Sequence, residues 1–272
     1  MPAIRVYGPP GTGKTHWVVQ TAKKLIKEGW APEKIAVLSF SRAAAAEVAS
    51  RIGNEVIVGT VHSMAYSIIG APPLALTPEA LADWAAHAPE RWHITPTSAN
   101  TVDVYDPYKA SGISDGDRLY ARVNAHRLKG VPMSMWTDEE RDFYTAFVSW
   151  MGASELIDFT GMLERALAMG LTPGVKGLII DEAQDLSPLA IRLVNLWSRG
   201  ASYVAVVGDD DQAIYGHAGA DGEAFTRIPV HQELVLDQSY RLPPRVLAGG
   251  RIIASRIKGR RHKEYRLSLI HI

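Results

Sequence analysis

At 272 residues and 47% hydrophobic, the chain is long enough for one large or two modest cored domains. It has no cysteine, which excludes disulfides, thiolate zinc sites and cysteine-ligated iron–sulfur clusters, and its 29 basic residues against 29 acidic ones exclude a global basic field for nucleic acid. No apolar run approaches the length of a membrane span, and MPAIRVYGPPG has neither a long apolar core nor a basic leader, so a soluble cytoplasmic protein without a membrane partner is expected. The charge is nonetheless uneven. Residues 251–266 hold seven Lys/Arg against one Glu, the pattern of a nucleic-acid arm or of one exposed helix face.

In chain order, AIRVY (3–7) reads as a short apolar strand running into GPPGTGKT. Residues 14–28 carry helical apolar spacing through Trp17, Val18, Ala22, Leu25 and Ile26, closed by Gly29. KIAVLSF (34–40) predicts a second strand, 42–51 a helix, EVIVGT (55–60) a third strand and VHSMAYSII an apolar helix. From about 72 to 154 the texture changes to amphipathic helices separated by Pro-, Gly-, Ser- and Asp-rich loops, with Trp84, Trp92, Trp136 and Trp150 as expected core residues. The alternation then resumes with KGLIID (176–181), SPLAIRLVNLWS and YVAVVGD (203–209). Strands and helices alternating at this spacing imply an α/β fold with a parallel sheet, interrupted by a helical insertion.

GPPGTGKT, residues 8–15, fits the P-loop pattern and lies between a strand and a helix, as that motif requires. Backbone N–H groups of Gly8, Pro9, Pro10, Gly11, Thr12 and Gly13 (the prolines excepted) can converge on phosphate oxygens, assisted by the helix N-terminus. Lys14 would bridge the β- and γ-phosphates of ATP, and Thr15 would ligate Mg²⁺. In LIIDEAQDLSP an apolar strand ends in Asp181 and Glu182. Asp181 is suited to hold Mg²⁺ through its water shell and Glu182 to orient and deprotonate an attacking water. A helix cap for the segment starting near Ser187 is the competing explanation of the pair. Farther on, Asp209, Asp210, Asp211 and Gln212 follow directly on a buried strand, either as a surface turn or as a site where the strand tip meets a ligand.

DEAQD together with GDDDQAIYG (208–216) resembles motifs II and III of superfamily 1 DNA helicases of the UvrD/Rep type. VLSFSRAAAAEVASRI (37–52) is similar to motif Ia, VGTVHSMAY (58–66) to a DNA-contacting GTFHS segment, IDFTGMLERAL (157–167) to the stretch before motif II, and LDQSYRLPPRVL (236–247) to motif IV. The resemblance implies a RecA-like P-loop NTPase that couples Mg·ATP hydrolysis to movement on single-stranded DNA, 3′ to 5′. It makes Gln212 a γ-phosphate sensor, with the three aspartates shaping its loop rather than binding a second metal. It gives Tyr240 the adenine-stacking role and Arg241 that of an arginine finger. By the same resemblance Ser39, Phe40, Arg42, Thr60 and His62 contact DNA, although Phe40 ends a buried strand and reads equally as core. Competing readings are an AAA+-type loader or remodeller, which DEAQD disfavours, and a nucleotide-gated DNA-binding module without turnover.

Two departures from the helicase pattern stand out. Motif III ends IYGHAGA, so His217 takes an aromatic platform position beside Tyr215 and Ala218 replaces an arginine, which weakens the expected grip on bases. The glutamine motif that reads adenine has no counterpart in the seven residues before Gly8. The expected organisation is a first RecA-like domain at 1–71 and 155–232, a helical insertion at 72–154, and the start of a second RecA-like domain at 233–266. LSLIHI (267–272) matches a translated transposase adapter and reads as a cloning or sequencing scar, with the remaining half of the polypeptide as the expected partner. A bacterial or phage enzyme of DNA repair or replication fits this pattern.

Overall fold

The computed structural model describes residues 3–53, 55–96, 114–213, 225–241, 243–256, 263 and 266–267. Six strands form one sheet: β1 (Ala3–Tyr7), β2 (Ile35–Ser39), β3 (Ile57–Thr60), β4 (Gly177–Asp181), β5 (Tyr203–Gly208) and β6 (Gln232–Val235). Their order is β3-β2-β4-β5-β1-β6 and every pairing is parallel. β2 and β4 are buried along their whole length, which explains their unbroken apolar sequences: a central parallel strand is covered on both faces.

Alternation along the strands divides the core in two. Val37, Ile179 and Val207 face α1 (Lys14–Lys27) and α2 (Arg42–Ile52), meeting Val18, Ala22 and Val48. Leu38, Leu178, Ile180 and Val206 face the opposite side, where they belong to one core with α3 (Val61–Ile68) and with Leu163 and Trp197 of later helices. The carboxyl ends of β2, β4, β5 and β1 are adjacent in that order, so the loops leaving them lie side by side.

Between β3 and β4 the chain leaves the sheet and builds a second core. Here α4 (Pro78–His87), α5 (Asp115–Lys129) and α6 (Asp138–Ala153) surround Trp84, Trp92, Phe143 and Phe147, with Trp84 edge-on to Phe147 at 5.2 Å. Trp136 is buried as expected, whereas Trp150 lies only half-buried at the rim and donates its indole N–H to Asp83 at 2.7 Å. The chain enters and leaves this unit through adjacent segments. Ala75 donates to Ile157 and Ile157 to Pro73, both at 2.9 Å. α7 (Phe159–Ala168) and α8 (Pro188–Ser198) then pack on the sheet. Buried Arg127 of α5 joins the two cores, forming paired contacts to Asp158 (2.5 and 3.0 Å) and Glu164 (3.1 and 2.7 Å).

β6 was not legible as a strand, because it sits at the sheet edge and exposes Gln232 and Glu233. Pairing with β1 and the Arg5–Glu233 ion pair (2.6 Å) hold it there. It straddles the boundary expected between 232 and 233, so the sheet takes in three residues assigned to the following unit. Beyond it come β7 (Gln238–Ser239), α9 (Pro244–Ala254) and β8 (Arg266–Leu267), which pairs with β7 and extends one residue into the stretch read as a scar. Among the described residues no helix is long and apolar enough to cross a membrane.

Candidate nucleotide site and its surroundings

The P-loop is shaped by its glycines. Gly13 caps α1 at φ 85°, a left-handed conformation that glycine adopts without a steric cost. At Gly8 an added Cβ would lie 2.1 Å from Lys14 Cγ, so only glycine lets the lysine cross the loop. Lys14 Nζ donates to the Gly8 carbonyl at 3.1 Å and lies 3.8 Å from the Glu182 carboxylate. Thr15 stands beside it in the first turn of α1, partly accessible. Thr12 is buried and bonds back to Pro9, bracing the turn.

Asp181 closes β4, buried, and one of its oxygens accepts from the Glu182 N–H at 3.0 Å. Burial, reinforced by the neighbouring Glu182 carboxylate, pushes its pKa up to about 7. A cation there would offset that destabilised charge, and a carboxylate and a hydroxyl such as those of Asp181 and Thr15 are hard oxygen donors of the kind that suits Mg²⁺. Glu182 sits at φ 51°, ψ 43°, unusual for a residue with a side chain, and opens a short 3₁₀ turn at Ala183–Asp185. The helix-cap explanation of the acidic pair does not hold, because Ser187 itself caps α8 by accepting from Ala190.

Gln184 ties the two acidic loops together. Its amide donates to Glu182 (2.8 Å) and Asp185 (3.1 Å), while its carbonyl accepts from the Asp209 N–H (3.0 Å). Gly208 allows this: a Cβ there would meet Gln184 Oε1 at 2.5 Å. Asp209 is fully buried and accepts from the Gln212 amide at 2.5 Å. Asp209, Asp210 and Asp211 gather around a partner that sequence reasoning missed: Lys263. A cavity of about 270 Å³ is lined by Glu182, Gln184, Asp185, Gln212, Phe40 and Ser41. Asp185, with its pKa pushed up to about 7 by burial and Glu182, has one oxygen without a hydrogen-bond partner among the described residues.

The segment expected as motif IV docks on the P-loop. The Tyr240 N–H donates to Gly11 (2.8 Å) and the Ser239 hydroxyl to Pro10 (3.0 Å). Tyr240 thereby borders a cavity of about 840 Å³ with His16, Trp17 and Gln20 of α1; periodicity marks His16 and Gln20 as helix surface and Trp17 as part of the apolar face. Arg241 lines this larger cavity and not the one holding Glu182 and Gln212.

Of the expected DNA contacts, Ser39 needs correction. As the last residue of a central strand it is 0% exposed, and its hydroxyl has no partner among the described residues, so it presents nothing to a nucleic acid. Thr60 is also no open contact: it is 9% exposed and caps α3 in a reciprocal capping box with Ser63. Phe40 is partly buried, packing on the core while lining the smaller cavity. Arg42 is exposed at the start of α2. His62 lies 6.5 Å edge-on from Phe159, and burial lowers its pKa to about 4 although the ring keeps some solvent contact. It is therefore a neutral hydrogen-bonding group near pH 7. Tyr215 and His217 lie outside the described residues.

A parallel sheet with a P-loop after β1, an Asp–Glu pair after β4 and a polar sensor loop after β5 defines a RecA-like P-loop NTPase. A family model described as an AAA domain matches residues 1–218, and the chain belongs to that family. It is 25% identical to DNA helicase II of Salmonella typhimurium over 93% of this chain and 38% of that protein. It is 24% identical to DNA helicase II of Escherichia coli, over 96% and 39%. It is also 24% identical to the ATP-dependent DNA helicase PcrA of Leuconostoc citreum, over 87% and 35%. The chain thus spans about two fifths of the length of these relatives, in their N-terminal portion.

Proposed function

We propose that this chain is the ATP-hydrolysing part of a DNA helicase, coupling Mg·ATP turnover to movement on single-stranded DNA. The observation that supports the coupling is the cavity shared by Glu182, Gln212 and Phe40: groups suited to hydrolysis and a residue of the expected DNA track line one space. Lys14 and the backbone N–H groups of the P-loop bind the phosphates. Thr15 and Asp181 would hold Mg²⁺, which neutralises charge on the phosphate oxygens. Glu182, held by Gln184, takes a proton from the attacking water, and Gln212 bonds the γ-phosphate and responds to its loss. Tyr240 and Trp17 offer aromatic faces to the base, with His16 and Gln20 as its polar neighbours. Phe40, Arg42 and His62 form the DNA side of the first domain. Movement 3′ to 5′ and a second RecA-like half as partner belong to the same reading, by resemblance.

The test is Glu182→Gln in the full-length enzyme. Nucleotide binding should persist while turnover falls about 10²–10⁴-fold, the usual contribution of a general base. Parental hydrolysis by this variant would remove Glu182 from its role. A full-length parental protein that binds ATP and releases no phosphate, with or without DNA, would instead favour a nucleotide-gated binding module.

A further inference from the structure

Lys263 comes from a basic run in which nothing local singles it out, yet its side chain is 0% exposed. Its ammonium lies 2.6 Å from Asp209 and 3.0 Å from Asp211, in closer contact still with Asp210, and 5.8 Å above the Tyr7 ring. An ammonium has three donors and no acceptor, and here it faces three successive carboxylates. A buried charge pair is weak evidence for net stability, since desolvation opposes it, but it fixes geometry strongly. What it fixes is specific. One oxygen of Asp209 meets Lys263 and the other accepts from the Gln212 amide at 2.5 Å, while the Asp209 N–H is held by Gln184, which also holds Glu182.

We infer that Lys263 is a positioning residue for Gln212: it pins Asp209, which orients the Gln212 carboxamide toward the cavity shared with Glu182. Lys263 lies 54 positions along the chain from Asp209, so a residue beyond α9 is bound directly to the carboxylate that holds the proposed γ-phosphate sensor. The position of Lys263 and the response of Gln212 to the γ-phosphate are thereby linked through one carboxylate. This inference rests on the proposed role of Gln212 and deepens it.

The experiment compares binding of Mg·ADP and Mg·ATPγS to the 272-residue chain and to Gln212→Ala, Lys263→Met and the double variant, by calorimetric titration. A lost hydrogen bond to a charged group is worth roughly tenfold or more in binding. Gln212→Ala should therefore lower the preference for ATPγS over ADP by about that factor and leave ADP affinity unchanged. Lys263→Met should lower the same ratio similarly, and the double variant should be no worse than either single one, because both act through one contact. A role confined to stability would weaken both nucleotides alike or neither. If Gln212→Ala lowers the ratio while Lys263→Met keeps the parental value, or if the two losses add, the positioning inference fails alone. If Gln212→Ala leaves the ratio unchanged, the sensor role fails and the inference with it. Should Lys263→Met not melt cooperatively, the double variant Asp209→Asn/Lys263→Met, which removes the charge on both partners, replaces it. Its expected ratio is that of Gln212→Ala, since nothing then pins the carboxamide introduced at position 209 toward Gln212. A parental ratio there overturns the inference.

Discussion

Glu182 holds a left-handed backbone, φ 51°, at the point where its carboxylate reaches the Gln184 amide and approaches Lys14. Such strain persists where the surroundings over-determine it, and here Asp181, Gln184 and the end of β4 do so. His62 illustrates how burial acts on a single titration. Its folded pKa, about 4, lies below the ordinary value near 6.5, so between those pH values the unfolded chain binds more protons than the folded one. Stability should therefore rise with pH from about 4 to about 6.5 and gain nothing further from this group above that. Urea midpoints across this range should be steeper in pH for the parent than for His62→Gln. Equal slopes would mean that the imidazole is not desolvated as the structure indicates. A second expectation at this scale concerns Lys14, whose ammonium already lies over the phosphate loop. Lys14→Ala should abolish nucleotide binding, and retained affinity for ATP in a fluorescence titration would remove the lysine from the site.

Between elements, the decisive contact is Arg127. It crosses from α5 to Asp158, the N-cap of α7, and to Glu164, with no more than 4% of its side chain exposed. Removing one partner of a buried pair leaves the other uncompensated, which typically costs about 3–5 kcal/mol. Arg127→Met should show a loss of that order in denaturant unfolding. Adding Asp158→Ser, which keeps a capping oxygen and removes the charge, should recover much of it. A double variant less stable than Arg127→Met would show that Asp158 carries its own weight through the cap. The docking of the segment around Tyr240 on Gly11 and Pro10 is of the same kind, joining residues 229 positions apart across one short hydrogen-bonded seam.

For the molecule as a whole, the described residues supply one nucleotide-binding sheet, and Arg241 faces the larger cavity rather than the one holding Glu182 and Gln212. An arginine finger is worth ~10³–10⁵ in rate, and among the described residues Arg241 does not line the cavity of Glu182 and Gln212, so slow hydrolysis is expected. The 272-residue chain is expected to bind Mg·ATP weakly, to show little DNA stimulation of hydrolysis and to separate no strands. Efficient unwinding of a 3′-tailed duplex by this chain would require a different account of how its sheet engages DNA.

The sequence by itself determined the parallel sheet, the P-loop, the Asp181–Glu182 pair and the helical insertion. Each of these is written locally, as an apolar run, a glycine spacing or a 3.6-residue period. Tertiary structure alone decided the rest. A polar edge strand such as β6 has no hydrophobic signature, since only its partner β1 makes it a strand. Ser39 reads as a contact by its place in a motif and is sealed by two neighbouring strands that local sequence does not show. Lys263 is one basic residue among several until folding places three carboxylates around it. Charge pairing over tens of residues depends on which loops leave the same edge of the sheet, and strand order, not local composition, sets that.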